Sequence, residues 1–152
     1  MSRDYRLSRM LHVLIHMGQS EKACTSQEIA AMLNTNPVVV RRTLAGLRDQ
    51  GYVMSEKGHG GGWRLTRPLD QITLLDVHRA LGPGALFAIG PSRDSPDCLV
   101  ERAVNASMAD AFARAEAVLI KELSARTLAD IVDGMPHVAR RKTHHGSRGH
   151  TP

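Results

Sequence analysis

The chain has 152 residues and a net charge of +5, and 42% of its residues are hydrophobic but only 3% aromatic. This composition excludes wholesale disorder and predicts one domain, or a small domain with an extension, around an aliphatic core. No apolar run reaches the length of about 18 residues that a membrane span needs, and the first residues do not resemble a secretion signal. We therefore expect a cytoplasmic protein without a membrane partner.

The charge is distributed unevenly along the chain. Residues 1–67 contain ten Lys or Arg and five Asp or Glu, residues 68–133 contain six and ten, and residues 134–152 contain four and none. A basic first part, an acidic middle and a basic tail indicate a polyanion-binding module joined to a module of another kind. The excess in the first part is modest, so ordinary surface variation is an open alternative.

The first part of the chain begins with the pattern of two helices. Apolar residues at three- and four-residue spacing predict a helix over residues 3–17, which Gly18 ends. After a polar loop, Thr25 and Glu28 have the spacing of a capping box, in which each side chain binds the backbone N–H of the other residue. This box predicts a short second helix over residues 26–33.

A third helix and two strands follow. Pro37 is placed at the first position of a helix over residues 37–50, where its missing N–H is harmless. The turn before it is about three residues long, the spacing of a helix-turn-helix. Residues 52–56 and 63–67 then read as two strands around a glycine-rich turn. Three helices and a two-stranded ribbon are the order of a winged helix.

The third helix has two different faces. At 100° per residue, Val40, Leu44 and Leu47 fall together and are expected to face the core. Arg can bind guanine edges or phosphates, and an exposed Val can touch a thymine methyl group. The opposite face therefore predicts DNA contact, although a solvated face with salt-bridged arginines is the plainer alternative. That face carries Val38, Arg41, Arg42, Ala45 and Asp49.

The loop over residues 58–62 contains four glycines in five positions. It lacks the Gly-Lys-Ser/Thr ending of a phosphate-binding P-loop and does not precede a helix. We interpret it as the tip of a wing whose backbone approaches DNA, because four glycines exceed what a plain hairpin turn needs. Lys57 and Arg64 flank the tip with positive charge, and His59 is placed to reach a groove.

The rest of the chain is mostly helical. The pattern predicts a short helix over residues 73–81, a Gly- and Pro-punctuated loop over residues 82–96 and a long helix over residues 97–123 with roughly heptad apolar spacing. A further capping box predicts a last short helix over residues 127–132. The tail, residues 134–152, is rich in His, Arg, Gly and Ser and is expected to be disordered.

Two cysteines are candidates for sensing, Cys98 near the start of the long helix and Cys24 before the second helix. A helix N-terminus can lower the pKa of a thiol and raise its reactivity. Asp94 and Asp97 oppose this effect at Cys98, whereas Arg93 and Arg102 favour it. Two ordinary thiols are the competing interpretation. Two cysteines do not make a disulfide framework or a four-thiolate metal site.

Two histidines are spaced i, i+4 on the first helix, a spacing that lets two imidazoles share a metal. No further Glu, Cys or His follows His12 and His16 at a telling distance, so we expect a surface or dimer-contact role and no metal. The chain also lacks a nucleophile elbow, a dinucleotide fingerprint and a spaced pair of acids. We therefore expect no enzymatic activity.

These features resemble the Rrf2 family of bacterial transcriptional regulators over residues 1–133. The glycine-rich wing followed by an Ile-Thr-Leu segment is quite specific to that family. Only the tail lies outside the resemblance. The matching segments are Tyr5 with the first helix, residues 36–42, residues 51–53, residues 57–65, and residues 72–77 leading into Ala80 and Leu81.

The resemblance implies a homodimer built on the long helix, with two winged heads on a palindromic operator. Many members carry three cysteines between the fourth and fifth helices and bind an iron–sulfur cluster. Cys98 is the only cysteine there in this chain, so we expect no cluster and no other cofactor. The chain looks closer to the cluster-free branch, some of whose members respond to oxidants or electrophiles through thiols.

The sequence thus predicts a mainly α protein with a small β wing: a winged helix-turn-helix over residues 1–67, linker, sensing and dimerisation helices over residues 68–133, and a basic tail. The predicted function is a DNA-binding regulator, most simply a repressor, that senses through Cys98, with Cys24 as a second candidate, or that does not sense at all. The alternative is a winged-helix module that binds protein without sequence-specific DNA contact. The expected DNA contacts are Ser26, Gln27, Thr35, Asn36, Val38, Arg41, Arg42, Lys57, His59, Gly60, Gly61 and Arg64.

Overall fold

The computed structural model of the protein describes residues 4–82 and 90–136, so residues 137–152 of the predicted tail and residues 83–89 of the predicted loop lie outside the described residues. The fold is mainly helical with one two-stranded antiparallel sheet, as the sequence predicts. No helix of the described residues is long and apolar enough to cross a membrane. The elements are α1 (Arg6–Gln19), α2 (Ser26–Leu33), α3 (Pro37–Asp49), β1 (Val53–Glu56), β2 (Gly62–Leu65), α4 (Leu74–Ala80), α5 (Leu99–Ser124) and α6 (Leu128–Asp133).

Side chains at the helix starts explain most of these bounds. Three helices begin with a reciprocal capping box of a Thr and an acid three residues later, which satisfies backbone N–H groups that the helix leaves free. In α2 the Thr25 hydroxyl accepts from the Glu28 N–H at 3.1 Å, and the Glu28 carboxylate accepts from the Thr25 N–H at 2.7 Å. The predicted start of α2 at Ser26 is therefore confirmed, whereas α4 and α6 begin one residue later than predicted because Thr73 and Thr127 are the caps.

One aliphatic core joins the first three helices to the later ones. Val13, Leu14 and Leu44 are fully buried, and Ile72 and Leu128 are buried in the same cluster. Such burial stabilises a chain by about 1.5–3 kcal/mol for each large apolar side chain. α4 and α6 thus pack on α1 and complete the core under the winged part of the chain.

The end of α1 differs from the prediction. Gly18 does not end the helix, which continues to Gln19. A Cβ at Gly18 would lie 2.6 Å from the Cδ2 atom of Leu69, so the glycine allows the 3-10 turn at Leu69–Gln71 to approach the helix. That turn was not predicted, because its packing partner is distant in the sequence.

The hairpin is anchored on the loop before α2. β1 and β2 pair antiparallel, with Ser55 opposite Trp63 and Met54 opposite Arg64. Cys24 extends the pairing by one residue, because its N–H donates to the Trp63 carbonyl at 3.0 Å and its carbonyl accepts from the Trp63 N–H at 2.8 Å. The hairpin is therefore fixed to the helix-turn-helix by backbone hydrogen bonds.

The long helix α5 has no buried residue. Leu99, Val100, Val104 and Val118 are 76%, 70%, 49% and 63% exposed, although large apolar side chains are usually covered in a folded protein. Val100, Val104 and Val118 fall on one side of the helix at 100° per residue. This exposed apolar stripe has no partner among the described residues.

Candidate nucleic-acid interface

The recognition helix α3 has the two faces that its sequence predicts. Val40, Leu44 and Leu47 are at most 1% exposed. Arg41 and Arg42 are exposed on the other side, and within the described part of the chain neither forms a salt bridge. The two guanidinium groups are therefore available to phosphates or base edges.

The first turn of α3 is organised by its cap. The Asn36 Oδ1 atom accepts a hydrogen bond from the Val39 N–H at 3.1 Å. The side-chain oxygen of this predicted DNA contact is therefore already bound within the protein. Its amide NH₂ group is left for a ligand. Val38 and Val39 are 55% and 41% exposed just after the cap. Val39 was not among the predicted DNA contacts, although its place in the first turn of the recognition helix is a signal that the sequence contains.

The glycines of the wing have local conformational reasons. Gly60 has a φ of +74° and Gly62 a φ of +145°, values that other residues rarely adopt. A Cβ at Gly62 would also lie 2.6 Å from the Cys24 carbonyl oxygen. These glycines are therefore explained by the turn and by the close pairing with Cys24, and the prediction that four glycines exceed what a hairpin turn needs was wrong. Lys57 and His59 are exposed on this hairpin.

Arg64 has partners within the protein. Its Nε atom donates to the Glu56 carboxylate at 3.3 Å and its Nη1 atom to the Glu21 carbonyl at 3.2 Å. These bonds join the two strands of the hairpin to the loop after α1. Arg64 is therefore partly committed to holding the hairpin in place, which the sequence could not show because Glu21 is 43 residues away.

The base of the hairpin is held by its tryptophan. Trp63 is 5% exposed, and its indole N–H donates to the Ser26 hydroxyl at 3.0 Å. Ser26 can still donate its own hydroxyl proton to a ligand. Gln27 is exposed and Thr35 half-buried at the two ends of α2. The hydrogen bond from Trp63 fixes the hairpin against the helix-turn-helix.

The two cysteines lie in different surroundings. Cys24 is 7% exposed, and burial raises the pKa of its thiol, with a smaller increase from Glu28. A raised pKa lowers the thiolate fraction, so the surroundings disfavour Cys24 as the reactive thiol. Cys98 is exposed at the N-cap position of α5. Both cysteines are free thiols.

A cavity of about 570 Å³ lies beside the start of α5. Two hydrogen bonds hold the preceding segment against the helix: the Ser95 N–H donates to the Glu101 carboxylate at 2.8 Å, and the Asn105 amide donates to the Ser92 carbonyl at 2.8 Å. The cavity walls are mostly apolar. They include Pro91, Pro96, Ala106, Met108, Ala109 and Phe112.

Three helices, a hairpin fixed to them and a recognition helix with exposed arginines define a winged helix-turn-helix, the DNA-binding fold of many transcriptional regulators. The family model of Rrf2, described as an iron-dependent transcriptional regulator, matches residues 4–134. The chain belongs to the Rrf2 family, as its sequence features indicated. Members of this family are transcriptional regulators and not enzymes.

Known proteins resemble the chain over most of its length. YwnA of Bacillus subtilis (strain 168), named as an HTH-type transcriptional regulator, is 32% identical over 129 residues, which are 84% of this chain and 95% of YwnA. A crystal structure of a Lactobacillus plantarum protein named as a transcriptional regulator has a TM-score of 0.70 and 23% identity, covering 88% of this chain and 91% of the other. CymR, the global cysteine regulator of B. subtilis, has a TM-score of 0.57 and 22% identity, covering 90% and 99%. The two structures support the fold.

The family description mentions iron, but the residues of this chain do not fit an iron–sulfur cluster. An iron–sulfur cluster is held by cysteine thiolates, typically four, with His replacing Cys in some types. The chain has two cysteines in all, and one of them, Cys24, is buried under the hairpin. Residues 4–82 and 90–136 contain no group of three or more His, Cys, Asp or Glu that could hold a metal ion.

Proposed function

We propose that this transcriptional regulator is a repressor that binds a palindromic operator in duplex DNA as a homodimer, in the cytoplasm where its target lies. Residues 1–67 serve as the reading head, and residues 68–133 supply the dimer contact and the sensing region. The observation that carries the proposal is the α3 face with two unpaired arginines in a family of transcriptional regulators. A dimer with two such heads matches a two-fold symmetric site.

The DNA contacts are proposed in two groups. The first turns of α2 and α3 supply base-edge and phosphate contacts, because the N-terminal part of a recognition helix reads the major groove. The hairpin contacts the phosphate backbone of the DNA through its basic side chains and its glycine tip. The first group is Ser26, Gln27, Thr35, Asn36, Val38, Arg41 and Arg42, and the second is Lys57, His59, Gly60, Gly61 and Arg64.

Single arginine substitutions on α3 test this assignment. Arg41→Ala and Arg42→Ala should each weaken binding to the DNA upstream of the protein's own coding region by about 1–3 kcal/mol, or roughly 5- to 150-fold. Arg48→Ala is the matched control, because Arg48 is exposed at the other end of the same helix and paired with Asp49 at 3.6 Å. The control should change affinity less than threefold, as measured by fluorescence anisotropy. Equal losses for Arg41, Arg42 and Arg48 would mean that α3 supplies only general charge.

The dimer contact is proposed for the exposed apolar stripe of α5. An Asp at Val104 would place a charge in the middle of that contact, and burying an unpaired charge is strongly unfavourable. Val104→Asp should therefore produce monomers in sedimentation experiments. Ala113→Asp is the control, because Ala113 is also exposed and lies 180° from Val104 at 100° per residue. A dimeric Val104→Asp protein would contradict the proposed contact.

The sensing proposal rests on Cys98, with Cys24 as a weaker second candidate. Cys98 is exposed at the N-cap of the proposed dimerisation helix, where a change of the thiol can alter the start of that helix. Cys98→Ser should keep DNA affinity but abolish release of DNA by a mild oxidant or a quinone. If the oxidant releases Cys98→Ser from DNA as it releases the parent, but does not release Cys24→Ser, the buried thiol is the sensor. Release of both variants would contradict thiol sensing.

A second candidate function is a protein-binding winged helix, favoured by the modest charge of residues 1–67. Gel-shift titration at several salt concentrations separates the two functions. Contacts to phosphates release counterions, so DNA affinity must fall steeply as salt rises. A complete lack of DNA binding at low salt would favour the protein-binding module.

A further inference from the structure

The outer face of α1 carries a pair of imidazoles in contact. The Nε2 atoms of His12 and His16 are 3.0 Å apart, and the rings meet edge to face with centroids 4.8 Å apart. Both side chains are exposed. The proposed reading head does not use this pair.

The helix beneath the pair is fixed. Met10, Leu14 and Met17 bury the opposite side of α1 in the core, with exposures of 1%, 0% and 5%. The side chain of Arg9 also donates to the Leu33 carbonyl at the end of α2. Since the backbone cannot rotate, both imidazoles stay on the same exposed side, one turn apart. Such preorganisation lowers the entropic cost of binding a ligand to both rings.

The sequence predicts no metal here because no third ligand follows the pair, but the 3.0 Å contact of the two nitrogens points the other way. We propose that His12 and His16 form a chelating site for a divalent transition metal, with a preference for Cu²⁺ and Ni²⁺. Imidazole nitrogen suits these ions. With metal–nitrogen bonds of about 2.0–2.1 Å, as in zinc–imidazole sites, two nitrogen atoms 3.0 Å apart subtend an angle of about 91–97° at the metal. This angle matches two adjacent positions of a square-planar or octahedral site, whereas a tetrahedral site needs about 109°.

The remaining coordination positions belong to water. No third His, Cys, Asp or Glu joins the pair within the part of the chain that the structure describes. A site with two protein ligands on an exposed face is open and exchanges its ion readily, unlike a closed structural site. It is also separate from any iron–sulfur chemistry, because it contains no thiolate. The site is therefore a reversible metal site on the outside of the proposed reading head.

The test uses the full chain with its tail histidines changed to Gln, because imidazole is a common metal ligand and these four side chains would compete with the pair for the ion. In this background, titration calorimetry with NiCl₂ should show one ion bound per chain. His12→Gln should weaken Ni²⁺ binding about 100-fold, because the second ligand then no longer binds intramolecularly. Circular dichroism confirms that each variant is folded. The tail positions changed are His137, His144, His145 and His150.

The matched control keeps two histidines but moves one of them. In the double variant Ser8→His with His12→Gln, the two imidazoles stand eight residues apart at positions 8 and 16, too far to chelate one ion. Ser8 is exposed on α1, so this variant should fold and bind Ni²⁺ as weakly as His12→Gln. The parent background should bind Cu²⁺ more tightly than Ni²⁺.

Three outcomes would overturn the proposal. The first is a relocated pair that binds Ni²⁺ within threefold of the parent background, since affinity would then come from exposed histidines in general. The second is no saturable binding of one Ni²⁺ per chain. The third is Zn²⁺ binding more tightly than Ni²⁺, which would contradict the adjacent-position geometry.

Discussion

The hydrogen bond between Trp63 and Ser26 allows a quantitative test of how the hairpin is held. Ser26→Ala removes the acceptor and leaves the indole N–H of a 5% exposed tryptophan without its partner. An orphaned buried donor costs about 1–3 kcal/mol. Because the bond is only partly buried, we expect Ser26→Ala to lower the free energy of unfolding by about 1–1.5 kcal/mol. Ser26 is the first residue of α2 and Thr25 supplies the cap, so the helix itself should lose little.

A double-mutant cycle isolates this energy. In the Trp63→Phe background no indole N–H remains, so Ser26→Ala should then cost less than about 0.5 kcal/mol, and the coupling should be about 1 kcal/mol. Urea unfolding followed by circular dichroism at one fixed protein concentration measures all four proteins, because Trp63 is the only tryptophan and fluorescence would be lost with it. An equal cost of Ser26→Ala in both backgrounds would refute the assigned role of the bond.

Two further predictions concern the packing and ionisation of the core layers. Gly46→Ala should destabilise the protein by about 1–3 kcal/mol in urea unfolding, because the new Cβ would collide with the Ala80 carbonyl oxygen. This loss is expected despite a gain of about 1 kcal/mol in helix propensity. A more stable variant would contradict the close packing of α3 on α4. Desolvation by burial acts to raise the pKa of Asp76, but hydrogen bonds from Thr73 and Tyr52 outweigh it and lower the pKa from 3.8. The carboxylate therefore stabilises the fold above its unfolded pKa, and this contribution is lost as pH falls through the lower folded value. The stability difference between the parent and Asp76→Asn should shrink in acid below about pH 4, and a pH-independent difference would contradict the assigned pKa shift.

Local signals in the sequence were sufficient for much of the fold. A capping box involves residues three apart, so Thr25 with Glu28 could be recognised without any tertiary knowledge. Gly51 has a left-handed φ of +78° just after α3, and a glycine at this place is a local signal that the helix stops. The faces of α3 also followed from helical periodicity, because the core must cover the apolar side.

The features that sequence patterns missed depend on distant contacts. Gly18 was interpreted as a helix end, but it makes room for Leu69, 51 residues further along the chain. Cys24 was proposed as a sensing thiol in the loop before the second helix, but its backbone pairs with Trp63 and its side chain is buried. Arg64 was interpreted as a positive charge that flanks the wing tip, but it also donates hydrogen bonds to Glu56 and to the Glu21 carbonyl. No local rule identifies such partners, because tertiary packing alone brings them together.

The central claim is that this chain recognises duplex DNA through α3 and the hairpin. Its most direct test is the affinity of the full chain for the DNA upstream of its own coding region and for a scrambled duplex of equal length, over a range of salt concentrations. Sequence-specific recognition predicts an affinity that falls linearly on a logarithmic salt scale and at least 1,000-fold tighter binding of the natural sequence at physiological salt. Equal affinity for both duplexes, or binding that does not depend on salt, would contradict the account.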